Sequence, residues 1–301
     1  MSSPLLAVVA HLAHRRCASS LVAAAATVQL VSPPSPAVVP LPVLGAPRGA
    51  PPGVARLLTR LSDIPVERTR TFSIIAHIDH GKSTMADRLL STTGNIWPPG
   101  KGHAQVLDTL EVERSRGITV KAQSASMVWT HPRDGLDYLL NLVDTPGHAD
   151  FSYEVSRSLA ACQGAALLID AAQGVQAQTV AVWNAASERG LAIVPALTKI
   201  DLSTADPEPA LAGLTAAFGI DPESVLWTSA KTGAGIEDGL LPALIDRIPA
   251  PGSSALRSAP LRALLFDSWF DEHRGVVCSV VVVQGVLRPG DAIVAAHSGA
   301  S

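Results

Sequence analysis

The sequence predicts an α/β domain with a mostly parallel sheet, followed by the start of an all-β domain and preceded by a disordered N-terminal segment. Three observations carry this reading. Between Thr71 and Arg247 short apolar runs alternate with segments of helical period, the pattern of a parallel sheet covered on both faces. After Pro249-Ala-Pro-Gly-Ser-Ser254 the helical periods give way to β-type runs joined by turns such as Leu287-Arg-Pro-Gly-Asp291. Before Asp63 there is no acidic residue at all.

The N-terminal stretch is rich in Ala, Ser and Leu, with arginines at 15, 16, 48, 56 and 60. That is the composition of an organelle transit peptide. Pro4 to Arg16 has the makings of a short amphipathic helix ending in positive charge. A secretory signal is the competing reading, but Arg15 and Arg16 follow the apolar stretch instead of preceding it. Prolines crowd the part from Pro33 to Pro52, which reads as an extended linker. Residues 1–63 are therefore assigned to a transit peptide and proline-rich linker, with an unaddressed disordered extension as the alternative.

Thr71–Ile78, Tyr138–Val143, Ala165–Ile169 and Ala192–Leu197 read as buried strands, being short apolar runs bounded by turn signals. Lys82–Leu90, Phe151–Ala161, Thr179–Arg189, Ala210–Phe218 and Leu240–Arg247 read as the helices between and after them. Together they make one domain over residues 64–252. Leu261–Trp269, Val276–Gln284 and Asp291–Ala296 read as strands of a second domain over residues 260–301, too few to close a barrel.

With 301 residues, 47% hydrophobic and 16% charged, the chain can bury a core. Setting the acid-free leader and Asp63 aside leaves 18 basic and 25 acidic residues. That balance speaks against a dedicated DNA or RNA binder. Cys17, Cys162 and Cys278 are far apart and in no metal-ligand spacing, which points to a reducing compartment. No stretch reaches the roughly 18 apolar residues of a membrane span.

The chemistry lies in five short motifs, each at a strand end. Ala76, His77, Ile78, Asp79, His80, Gly81, Lys82, Ser83 and Thr84 follow the first strand and open the first helix, where a phosphate-binding loop belongs. Loop N–H groups can wrap phosphates, Lys82 brings a full charge to the β- and γ-phosphates, Ser83 offers a hydroxyl to Mg²⁺ and Thr84 reaches the α-phosphate region. His77 and His80 find no third ligand for a metal of their own. In the second motif, Asp144, Thr145, Pro146, Gly147 and His148, Asp144 can hold Mg²⁺ through water. Gly147 can bring a backbone N–H to the γ-phosphate, and His148 can position the attacking water as the catalytic residue. Thr119, in Arg116-Gly-Ile-Thr119, can close over Mg²⁺ and the γ-phosphate. Thr198, Lys199, Ile200 and Asp201 read the base: Asp201 accepts from guanine N1–H and the 2-amino group, a pair adenine lacks, and Lys199 lies along the base plane. A buried acceptor of this kind discriminates strongly, because the wrong base leaves it unsatisfied. Ser229, Ala230 and Lys231 complete the site, the Ala230 N–H meeting guanine O6. In this order the five converge on one sheet edge and imply a P-loop GTPase with GTP as substrate and Mg²⁺ as cofactor.

The same residues resemble the translation-factor GTPases. The runs Asp144–Thr179, Glu113–Gln123 and Lys199–Glu208 are similar to elongation factor 4, also called LepA. The stretch Gln105–Trp129 and the transit-like leader resemble its mitochondrial branch. The resemblance implies a G domain that hydrolyses GTP when the ribosome's GTPase centre positions His148, with Ile78 and Ile118 as a hydrophobic gate and a monovalent cation near Asp79. It further implies action on elongating ribosomes, in back-translocation or fidelity, peripheral association with the matrix face of the inner mitochondrial membrane, and an opening β-barrel domain at Pro260–Ser301. Three departures stand out. Thr198 replaces the usual Asn, so the amide tie between base and phosphate loop is expected to be missing and guanine binding weaker. Ser115 replaces an acidic switch residue, and the sequence stops within the second domain. The alternative to a ribosome-dependent GTPase is therefore a truncated guanine-nucleotide-binding module unable to act on ribosomes.

Overall fold

The computed structural model describes residues 51–61, 63–96, 123–145, 152–252, 258–271, 275–288 and 291. These fall into two units that divide at Pro251 and Gly252. The larger is built on a six-stranded sheet: β1 (Thr69–Ala76), β2 (Gln123–Thr130), β3 (Asp137–Asp144), β4 (Gly164–Asp170), β5 (Ala192–Thr198) and β6 (Leu226–Trp227), in the order β2-β3-β1-β4-β5-β6. All neighbours are parallel except β2, which runs antiparallel to β3. The chain leaves β1 to build β2 and β3 on one side and β4 on the other. The end of β1 is thus the topological switch point, where a crevice opens.

β1, β3, β4 and β5 are buried along most of their length because helices cover both faces. Under one face lie α2 (Lys82–Thr92) and α6 (Leu241–Arg247), with Phe72, Ile74, Met85, Leu89, Leu142, Leu168 and Leu244 fully buried between them. Under the other lie α3 (Ser152–Ala160), α4 (Ala177–Ser187) and α5 (Pro207–Phe218), against Ile75, Leu167, Ile169 and Leu197. A wide helical turn over Ile236–Leu240 leads into α6. Gly235 before it takes a left-handed φ of 67°, and a Cβ there would lie 1.9 Å from the Trp227 carbonyl oxygen, so no other residue fits.

Three sequence assignments are corrected. β1 runs Thr69–Ala76, not Thr71–Ile78, because the chain turns out of the sheet at His77 and Asp79 and Gly81 take left-handed backbone conformations no strand accepts. β2 was not foreseen: its first half, Gln123-Ser-Ala-Ser126, has weak strand propensity, and pairing with β3 supplies what propensity does not. The third correction concerns residues 52–61, which the sequence reading placed in the linker.

They instead form α1 (Pro52–Arg60) and Leu61, with Pro52 at the first helical position. Leu57 and Leu61 pack on buried Ile64, Val128 and Leu139. The Arg56 guanidinium bonds the side chains of both Thr130 and Asp137, and Gly53 N–H donates to Gly94 O, 2.8 Å away just past α2. Deleting residues 1–61 is expected to lower the melting temperature by roughly 5–10 °C, about 2–3 kcal/mol in a domain of this size. Calorimetry of that deletion against one retaining residues 51–61 reads the effect; equal melting would show that α1 adds nothing.

The smaller unit holds the antiparallel pair β7 (Arg262–Asp271) and β8 (Gly275–Gln284), close to the two strands expected there. Phe266, Val277 and Val281 are buried, while Phe270 and Val283 are exposed. Register shifts interrupt the pairing at Arg262/Ala263 and Leu265/Asp267. Of the third expected strand, Asp291–Ala296, all but Asp291 lies outside the described residues, as do residues 1–50.

Candidate functional site

The loop His77–Gly81 joins β1 to α2 at the switch point. Gly81 caps α2 with a φ of 90°, and no side chain caps the first N–H groups of the helix. Uncapped N–H groups with the helix dipole behind them form an anion site. Lys82 and Ser83 open the helix and are partly shielded; Asp79 and Thr84 are exposed or nearly so at the rim. Opposite stands Asp144 at the end of β3, fully buried, with its Oδ1 2.7 Å from Lys82 Nζ. Phosphate-side and metal-side residues of the sequence reading are therefore brought together. Thr145 is buried and turns its hydroxyl inward, donating to Ile74 O at 3.2 Å. Pro146, Gly147, His148, Ile118 and Thr119 lie outside the described residues.

The base side begins where β5 ends. Lys199 adopts a left-handed φ of 59°, which turns Thr198 inward and carries Asp201 to the rim. Thr198 Oγ1 lies 3.0 Å from His80 O and 3.3 Å from Ile169 O. The expected loss of the tie between base motif and phosphate loop is thus corrected: a hydroxyl makes it where an amide would. Thr198→Ala is expected to weaken GDP binding about fivefold, through one buried hydrogen bond worth about 1 kcal/mol, while Thr198→Asn keeps wild-type affinity. Titration calorimetry decides, and an Ala variant that binds like wild type would make the tie idle.

Lys199 Nζ donates to Asp79 O at 2.6 Å and to Asp170 Oδ2 at 2.9 Å. Asp170, at the end of β4, is buried and was not singled out from the sequence. Burial opposes its ionisation, yet the bonds from Lys199 and the Ala172 N–H hold its carboxyl below the ordinary value. His80 is also fully buried and its Nδ1 accepts from Asp170 N–H at 3.3 Å. Burial, helped by His77 5.0 Å away, keeps its pKa down and the ring neutral. The phosphate loop is therefore held from β4, β5 and also α4, since Ile78 N–H donates to Gln178 Oε1 at 3.3 Å.

Asp201 is exposed, not buried as the sequence reading assumed; it sits on the turn after the strand, where only a bound base would cover it. Its Oδ1 accepts from Ser229 Oγ at 2.6 Å, and this bond keeps the carboxyl ionised and its pKa low. Ser229 is buried, Ala230 half-buried and Lys231 exposed; Ile200 lies beside the core under β5. Arg88, also missed in sequence, reaches from α2 to the carbonyls of Ala230 and Lys231. A lone Arg on a helix carries no sequence signal of such a contact. Cys162 is buried with its thiol pushed far above the ordinary range, and takes no part.

A phosphate loop at the switch point, a buried Asp at the next strand end and an Asp–Ser pair at the base end define a P-loop GTPase. The chain belongs to the translation GTPases: residues 67–250 match the Elongation factor Tu GTP binding domain. It is 58% identical over 244 residues to the "Translation factor GUF1 homolog, mitochondrial" of Arabidopsis thaliana, a match covering 80% of this chain and 36% of that one. It is 51% identical over 243 residues to the "Translation factor guf1, mitochondrial" of Aspergillus oryzae, covering 81% and 36%. These relatives are of the elongation factor 4 type, as the sequence resemblance implies. The chain spans a little over a third of their length. A crystal structure from Thermus thermophilus shares the fold, with a TM-score of 0.63 and 20% identity over 74% of this chain and 46% of that one.

Proposed function

We propose that the chain is the GTP-binding and GTP-hydrolysing part of a mitochondrial translation factor that acts on elongating ribosomes. The observation that carries this is the set of groups gathered at the end of β1. There an uncapped helix N-terminus and Lys82 face a buried Asp144, while Asp201 waits on Ser229 at the base end. The phosphates of GTP lie against the N–H groups from His77 to Thr84, and Lys82 exchanges Asp144 for their oxygens. Asp144 and Ser83 offer hard oxygen donors that would hold Mg²⁺, with Thr119 assigned as a third, and the ion would compensate Asp144 when Lys82 turns to the phosphates. Bound Mg²⁺ neutralises charge on the β- and γ-phosphates. Asp79 borders the place for a monovalent cation.

Asp201 and the Ala230 N–H recognise guanine. His148 orients the attacking water, Ile78 and Ile118 gate it, and the ribosome's GTPase centre brings it into position. Fidelity or back-translocation is the step we assign, on the matrix side of the inner membrane and peripheral to it. No helix among the described residues is long and apolar enough to cross a membrane.

Two measurements test the reading. GDP and GTP, but not ATP, should displace a fluorescent guanine nucleotide from the full chain in Mg²⁺; displacement by ATP would overturn it. With mitochondrial ribosomes, His148→Ala is expected to bind GTP normally while stimulated hydrolysis falls at least about a hundredfold, the scale of a lost water-positioning group. Undiminished turnover would remove His148 from the mechanism.

A further inference from the structure

We propose that Arg88 is a specificity-positioning residue: from the phosphate side of the site it fixes the loop that recognises the 6-oxo group of guanine. The proposal rests on the guanine-nucleotide reading of the same site. Arg88 lies six positions after Lys82 on α2, nearly two turns along the helix whose N-terminus faces the phosphates. Its Nε bonds Ala230 O and its Nη2 bonds Lys231 O. Those are the two peptide groups directly after the one whose N–H, that of Ala230, meets guanine O6.

The other tethers of the loop sit at its start: Thr228 N–H and Oγ1 both donate to Leu197 O at 2.8 Å, and Ser229 Oγ donates to Asp201 Oδ1 at 2.6 Å. The loop hangs from β6, which pairs with β5 through only Leu226 and Trp227. Its own turn is closed by Ser229 N–H to Ala234 O at 3.0 Å and Gly233 N–H to Ser229 O at 2.8 Å, and by Thr232 N–H to Ser229 Oγ at 3.1 Å. The carbonyls of Ala230 and Lys231 are acceptors in none of these; the planar guanidinium fork serves both at once, which a lysine ammonium cannot match in geometry. The guanidinium also fills the space under the turn, its Nη1 3.7 Å from where a side chain at Gly233 would begin. Arg88 thus links the helix that faces the phosphates to the base loop, across 142 positions of sequence.

The test uses the full chain as wild type, Arg88→Ala and Arg88→Lys, with dissociation constants measured in Mg²⁺ for three probes. These are GDP; 6-thio-GDP, whose sulfur accepts weakly; and IDP, which lacks the 2-amino group read by Asp201. Arg88→Ala is expected to bind GDP roughly tenfold more weakly, the scale of charge-assisted bonds lost. Its preference for GDP over 6-thio-GDP should shrink toward unity, while its preference for GDP over IDP stays at the wild-type ratio. Arg88→Lys should fall between. GDP binding within about twofold of wild type would overturn the proposal. So would an equal loss for all three nucleotides with both ratios intact, since that is what a merely structural role predicts. If the Ala variant shows no melting transition, the ratios of Arg88→Lys decide by the same criteria. Failure of the wild type itself to bind GDP would instead sink the reading of the site, and is seen before any variant is made.

Discussion

Asp201→Asn is expected to weaken GDP binding by roughly a thousandfold and to make XDP the preferred ligand. The carboxylate is ionised, held so by the Ser229 hydroxyl at 2.6 Å, and presents only acceptors. Guanine offers two donors on that edge, N1–H and the 2-amino group. Each charge-assisted bond is worth about 1.5–3 kcal/mol, so losing both costs on the order of 4 kcal/mol. Asparagine turns an N–H toward that edge, which clashes with the guanine amino group and suits the 2-oxo group of xanthine. Titration calorimetry with GDP and XDP reads both effects; an unchanged GDP affinity would take Asp201 out of base recognition. Exposure of Asp201 in the free protein does not weaken the argument, because the base itself supplies the burial that makes an unmatched group costly.

Lys82→Met has two separable effects. Asp144 is wholly buried and Lys82 nearly so, with 2.7 Å between Nζ and Oδ1. Removing the ammonium leaves a carboxylate charge in low dielectric without that cation, a loss of about 3 kcal/mol or more. In a domain of this size that lowers the melting temperature by roughly 10 °C. The same change deletes the charge on the phosphates, and GTP affinity should fall by about two to three orders of magnitude. Lys82→Met with Asp144→Asn replaces the pair by neutral groups, so thermal stability should return while nucleotide binding does not. A single variant that melts like wild type would show the ion pair to be of no structural weight.

Much of the fold is legible in sequence because a doubly covered parallel sheet needs unbroken apolar strands. β3, β4 and β5 fall within a residue or two of the runs at Tyr138–Val143, Ala165–Ile169 and Ala192–Leu197. The polar motifs at their ends are legible for the complementary reason. Gly-Lys-Ser at a helix start or Lys-Ile-Asp at a strand end is hard to justify except by a ligand. β2 escaped because an edge strand is made by its partner, and α1 because proline crowding upstream masked a helix that begins with proline.

The order of strands and site loops, the phosphate loop and the aspartates that face it are thus properties of the sequence itself, since local periodicity and residue chemistry dictate them. Which hydroxyl ties Thr198 to His80, which carboxylate holds Lys199, and which guanidinium carries the Ala230 turn were decided only by tertiary structure. Those contacts join residues from 29 to 142 positions apart, as Lys199 to Asp170, Thr198 to His80 and Arg88 to Ala230 show. Nothing in the local pattern of either partner announces the other; the fold brings them within hydrogen-bond distance, and burial then makes the bond worth keeping.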